Sequence, residues 1–165
     1  GDDIYVTGTI GSARAALISK KGSEAYRYFR KHLVKPKPRV EVGLQLSNFA
    51  TSCIDISDGL AKDLKNISNA SKKGFEVDID LIPTDLKFKH FIKEAYREEC
   101  ILGGGEDYEL CFTADKKNIS KINNIKEKNN IKITRIGTIT SSRQKYIRYG
   151  KSYRVTAKGY DHFQS

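Results

Sequence analysis

The sequence predicts an α+β domain, a mixed β-sheet covered by helices, and three observations carry that prediction. Strand-like and helix-like segments mix without the strict β-α-β alternation of a doubly wound fold. The chain has 165 residues, enough for one domain with a real core and too few for two. Its hydrophobic fraction is 38%, interspersed with charges of both signs, as in a soluble globular protein. Residues 1–165 therefore read as one domain.

The stretch 4–8, IYVTG, is a short β-branched and aromatic strand ending at Gly8. From Gly11 to Lys20, Ala13, Ala16 and Leu17 share one helical face, which Gly22 closes. Ser23 caps a second helix with Tyr26, Phe29 and Leu33 at helical spacing, and Pro36 and Pro38 end it. Residues 39–49 read two ways. Val40, Val42, Leu44 and Leu46 alternate like a strand, whereas Val40, Leu44 and Phe49 suit a helix begun by Pro38.

SCIDI, 52–56, reads as a buried strand, followed by a helix on the stripe Leu60, Leu64, Ile67 that ends near Gly74. Residues 74–83 alternate Phe75, Val77, Ile79 and Leu81 against acids, a half-buried strand. Residues 85–98 place Phe88, Phe91, Ile92, Ala95 and Tyr96 on one helical face. YELCFT, 108–113, is a strand. Residues 116–129 form an amphipathic helix on Ile119, Ile122 and Ile125, and 131–139 are again a strand. Residues 145–156 read as a hairpin turning at Gly150 and Lys151.

No apolar run approaches the roughly 18–20 residues that span a bilayer, so no membrane association is expected. The opening GDDIYVTG is not a basic stretch followed by an apolar one, so it does not read as a signal peptide. The chain contains no methionine, which fits a processed start or a segment cut from something longer. Three cysteines, Cys53, Cys100 and Cys111, form no C-x-x-C pair, and Cys53 and Cys111 sit in apolar segments as small buried hydrophobes. A reducing, cytoplasmic compartment and no zinc follow as expectations. The net charge of +10 raises the alternative of a nucleic-acid-binding module. The densest runs, KPKPR at 35–39 and 116–130, carry no interleaved aromatics for base stacking, and a solvated basic surface is the better reading.

Two stretches carry chemistry. In Asp55-Ile56-Ser57-Asp58-Gly59, Ser57 suits a helix N-cap and Asp58 meets the positive end of the helix dipole. That cap leaves Asp55 unexplained, a carboxylate ending a buried strand, which costs free energy unless paired or metal-bound. Oxygen-only ligands beside a helix N-terminus favour Mg²⁺ or Ca²⁺ together with phosphates. In Gly103-Gly104-Gly105-Glu106-Asp107, three glycines allow tight backbone approach and two acids precede a strand. Neither the dinucleotide nor the P-loop glycine pattern is present, and a flexible loop with solvated acids is the plain alternative. Arg39, in a stiff basic turn, suits a salt bridge or an anion contact. His32, His90 and His162 are scattered, and no Ser or Cys stands in a nucleophile setting.

Taken in order, YVTGTIG, KPKPRVEVG, TSCIDISDGLAKDL, LGGGEDYELCFT, ITRIG and GYDHF resemble the thiamine-monophosphate kinase family in its C-terminal half, over nearly the whole chain. DISDGL is shared across the superfamily that includes aminoimidazole ribonucleotide synthetase and selenophosphate synthetase, whose other ATP-dependent activities are the alternative. GGEDYEL with the terminal GYDHF points to the kinase. The resemblance implies Mg²⁺-dependent transfer of the ATP γ-phosphate to thiamine monophosphate. It implies Asp55 and Asp58 as Mg²⁺ ligands, Ser57 at the ATP phosphates, and Glu106 with a tail aromatic, Tyr160 or Phe163, at the thiamine substrate. Arg39, Gly104, Gly105 and Asp107 are supporting candidates. Ser12, Ala16 and Gly103 depart from the usual family residues without touching these motifs. The resemblance also implies a helix over 39–49, a homodimer, and an N-terminal domain with further metal-binding aspartates that nothing here matches. The expectation is a domain fragment, inactive alone.

Overall fold

A computed structural model of the chain describes residues 1–157. Seven strands form one sheet in the order β2-β4-β1-β5-β3-β6-β7. They are β1 (Asp3–Thr7), β2 (Ser52–Asp55), β3 (Gly74–Asp78), β4 (Leu110–Ala114), β5 (Ile133–Thr140), β6 (Gln144–Arg148) and β7 (Lys151–Tyr153). All pairings are antiparallel except β3 with β6, so the sheet is mixed, as the pattern of elements predicts.

The helices divide between the two faces because neighbouring strand residues point opposite ways. Ile4 and Val6 of β1 join Cys111, Phe75 and Val77 under α4 (Leu60–Ser71), whose Leu60, Leu64 and Ile67 are buried at helical spacing. Tyr5 and Phe112 stack at 5.3 Å on the other face, against Val42 and Leu46 of α3 (Val40–Leu46) and Ile122 and Ile125 of α7 (Ile119–Asn129). A third cluster joins Ala15 and Ala16 of α1 (Ser12–Ile18), Phe29 of α2 (Glu24–Val34) and Phe88 of α5 (Phe88–Phe91). Ser23 caps α2, its hydroxyl accepting the Tyr26 N–H. Among the described residues no helix is long and apolar enough to cross a membrane.

Several local expectations change. Residues 40–46 are helical, as the resemblance implies, but the buried pair is Val42 and Leu46, while Val40 and Leu44 are exposed. The strand from Gly74 stops at Asp78, whose carboxylate accepts the Asp80 N–H at 3.0 Å and turns the chain. The helix expected over 85–98 is two: Ile92 and Lys93 are extended between α5 and α6 (Glu94–Glu98). Arg97 bridges that break, donating to the carbonyls of Ile92 at 2.9 Å and Lys89 at 2.8 Å. β2 is not buried but lies at the sheet edge with Cys53 and Asp55 exposed, although Cys111 is buried as expected. The hairpin turns through Tyr149 and Gly150, both at positive φ, the geometry of a tight two-residue connection.

Candidate active site

The two motif loops meet at one end of the sheet. Beyond β2 and β4 the ladder continues irregularly: Ile56 N–H donates to the Glu109 carbonyl at 2.7 Å, Tyr108 N–H to Ile56 at 3.0 Å, and Glu106 N–H to Ser57 at 3.0 Å. The glycines exist for this closeness. A Cβ on Gly105 would lie 2.0 Å from the Ser57 carbonyl oxygen, and one on Gly104 would lie 2.4 Å from Arg14 Cβ. Glu106 and Tyr108 take left-handed backbone, φ 69° and 50°, a strained arrangement of the kind that clusters at functional sites.

This zipper brings Asp55, Ser57, Asp58 and Glu106 to one rim. Asp55 and Glu106 are exposed, and Ser57 and Asp58 are half-buried. The Tyr108 hydroxyl donates to Glu106 at 3.2 Å. Its phenol is pushed up chiefly by the Glu106 charge and also by Asp55, which ties the two motifs electrostatically. Asp58 accepts an ion pair from Lys62 one turn along α4, at 2.8 Å. Since Asp55 is exposed, the desolvation cost expected of it on a buried strand does not arise.

Ser57 is not the helix cap. Gly59, at φ 114°, precedes the first turn of α4 with no side-chain cap. Asp63, inside the helix, instead reaches back to the loop before it and takes the N–H groups of Ser57 at 3.2 Å and Asp58 at 3.1 Å. Burial pushes the Asp63 carboxyl up to about 6, with Asp58 and Asp55 adding to the rise and the two N–H bonds opposing it. Asp63 was missed, yet the signal existed, because position 63 falls on the buried stripe of 60, 64 and 67.

Asp107 is turned away from the rim, accepting the N–H groups of Gly11 at 2.7 Å and Ala13 at 3.2 Å at the start of α1. Arg39 makes a two-pronged pair with buried Glu109, Nε to Oε2 at 2.7 Å and an Nη to Oε1 at 2.5 Å. Thr7 completes it, donating to Glu109 at 2.6 Å and accepting from Leu110 N–H at 2.8 Å. Arg39, Gly104, Gly105 and Asp107 thus build the scaffold of the site. Glu109 was the other residue missed, and a third acid after the glycines, inside the strand-forming Tyr-Glu-Leu, was its only trace. Tyr160 and Phe163 lie outside the described residues.

The donor set suits a hard divalent cation. The rim offers carboxylate and hydroxyl oxygens, and a third carboxylate, Asp63, feels both of the others. Among the described residues no group of three or more His, Cys, Asp or Glu is arranged to hold a metal ion, and Asp55 and Asp58 are the two rim carboxylates nearest Ser57 in sequence. Mg²⁺ is commonly held by that number, with water and phosphate oxygens completing its shell.

Residues 1–150 match the family described as AIR synthase related protein, C-terminal domain. The chain belongs to that family. It is 39% identical to the thiamine-monophosphate kinase of Buchnera aphidicola subsp. Schizaphis graminum, over 99% of this chain and 53% of that protein. The crystal structure of thiamine-monophosphate kinase from Stenotrophomonas maltophilia K279a superposes with a TM-score of 0.81 at 34% identity, over 93% of this chain and 51% of that one. A structure of AaThiL complexed with AMPPCP and TMP gives 0.75 at 28% identity, over 99% of this chain and 52% of that one. The chain thus spans about half the length of the curated relatives it matches.

Proposed function

We propose that this chain is the C-terminal half of a kinase that transfers the γ-phosphate of ATP to thiamine monophosphate, giving thiamine diphosphate. One observation carries the reading: the Glu106-to-Ser57 and Tyr108-to-Ile56 backbone bonds hold Glu106 beside Asp55, Ser57 and Asp58. The similarity to thiamine-monophosphate kinases over 99% of the chain supports it.

The acceptor is already an ionised phosphate, so no strong base is needed, and alignment of two anions is the task. Asp55 and Asp58 would hold Mg²⁺, which supplies neutralisation of phosphate charge when bound. The Ser57 hydroxyl, half-buried on the rim, would donate to an ATP phosphate oxygen. Glu106 would face the cationic thiazolium, its position held by left-handed backbone and by Tyr108. A tail aromatic, Tyr160 or Phe163, would pack on the same substrate. The remaining metal ligands and most of the nucleotide pocket would come from an N-terminal domain, in a cytoplasmic homodimer.

The test uses a protein carrying both halves. Asp58→Asn should lower turnover of ATP and thiamine monophosphate by about a hundredfold or more while the fold is kept. Unchanged turnover would remove Asp58 from the site. Turnover of the 165-residue chain alone at about 1 s⁻¹ or faster would overturn the half-site reading.

A further inference from the structure

A second concavity lies at the same end of the sheet. Because β1 runs antiparallel to β4 and β5, and β2 antiparallel to β4, the end of β1 and the starts of β4 and β5 share an edge with Asp55. Gly8 N–H donates to the Lys132 carbonyl at 2.7 Å, closing β1 onto β5 there. Strand spacing of about 4.8 Å puts this point roughly 10–15 Å from the acidic rim. Beside it opens a cleft of about 520 Å³ whose lining includes Gly8, His32, Lys35, Lys37, Arg39 and Lys132.

The charges in this cleft do not cancel. Arg39 is committed to Glu109, and Asp107 to the start of α1. Lys35, Lys37 and Lys132 are exposed, and among the described residues none of them has an ion-pair partner. Pro36 and Pro38 fix the backbone around two of these lysines, so less conformational freedom is lost when an anion gathers them. Nε2 of His32 is buried without a hydrogen-bond partner at the same wall. The volume falls within the range of small-ligand sites, roughly 300–1,000 Å³. No Tyr, Phe or Trp lines it, so it offers no stacking platform for bases.

We infer that this cleft binds a diphosphate group through Lys35, Lys37 and Lys132. A fourth lysine of the lining, Lys31, lies over the Tyr28 ring at 5.5 Å. The other three ammonium groups match the roughly three negative charges of a diphosphate, and a concave wall admits a compact anion rather than a strand of nucleic acid. The inference does not rest on the kinase reading, because nothing in it uses Asp55, Asp58 or Glu106.

The test titrates the 165-residue chain at constant ionic strength with inorganic pyrophosphate and, in parallel, with thiamine diphosphate, following backbone amide shifts. Saturable shifts at Gly8, Thr9 and Lys132 are expected. Lys35→Ala combined with Lys132→Ala should weaken binding by about tenfold or more. Lys20→Ala combined with Lys21→Ala, which removes the same charge beyond the other end of α2, should leave it unchanged. Tighter binding of pyrophosphate identifies a free anion as the ligand, and tighter binding of thiamine diphosphate identifies the ester. Absence of saturation, equal weakening in the Lys20/Lys21 variant, or displacement by a short oligonucleotide that binds more tightly would overturn the inference.

Discussion

The carboxylate of Asp107 accepts the backbone N–H of Gly11 at 2.7 Å, across 96 positions of sequence. It also takes the Ala13 N–H, so the glycine–acid loop caps α1 and the β1–α1 connection is locked to the site from behind. Burial pushes this carboxyl up to about 7, against the opposing pull of those N–H groups. A raised pKa means the folded chain holds a proton the unfolded chain has released. Stability should therefore be greatest below about pH 4 for this group, and decline as pH rises towards about 7, by at most about 1.4 kcal/mol per unit. Asp107→Asn should flatten that slope in denaturant titrations across the window. A variant retaining the wild-type slope would show that Asp107 ionises normally.

Gly105 has no room for a side chain. Its missing Cβ would lie 2.0 Å from the Ser57 carbonyl oxygen, a backbone atom that cannot swing aside. Gly105→Ala should cost about 2 kcal/mol or more and should separate the two motif loops. Loss of protection of the Glu106 amide, which donates to Ser57, would report the separation in hydrogen exchange. Gly150→Ala provides the comparison, since nothing lies within 4 Å of its Cβ and only the positive φ opposes it. That change should cost about 1 kcal/mol. Equal costs at both positions would argue that the loops do not depend on close approach.

The parts legible in the sequence were those set by local chemistry. The stripe of Leu60, Leu64 and Ile67 announced α4, and Ser23 announced the start of α2. Composition could not reveal the sheet order, because Ser-Cys-Ile-Asp says nothing about whether a strand has one neighbour or two. Hence β2 read as buried when it is an edge. Val40 to Leu46 alternates apolar and other residues, yet only Val42 and Leu46, four apart, face the core. Asp55, Ser57, Asp58 and Glu106 could be named from their motifs. That Asp63 binds the Ser57 and Asp58 N–H groups was hinted at by its place on the buried stripe, whereas Glu109 binding Arg39, 70 positions away, was a distant pairing no local pattern encodes.

Arg39 and Glu109 form the most enclosed ion pair of the site, with Thr7 as a third member. Removing one partner strands the other charge in a region with little water. Arg39→Met should destabilise the chain by roughly 3 kcal/mol, measured by urea unfolding. Arg39→Met combined with Glu109→Gln should recover part of that loss, because no unpaired charge remains. Additive losses would show that the two side chains do not act as a pair.

Glu98 gathers the chain as it leaves the sheet. One oxygen accepts from Thr156 N–H at 2.7 Å, Thr156 Oγ1 at 2.8 Å and Ala157 N–H at 2.9 Å, and the other from the Tyr153 hydroxyl. Residues 154–157 have no regular structure, so this carboxylate takes the place of a ladder for them. Glu98→Ala should leave the core intact while the Thr156 and Ala157 amides exchange about tenfold faster. Because Tyr160 and Phe163 follow within six residues, the same change in a protein with both halves should raise KM for thiamine monophosphate and leave KM for ATP alone. Faster exchange without any change in KM would confine Glu98 to structure. A rise in both KM values would place its effect on the fold of the whole site rather than on the substrate end.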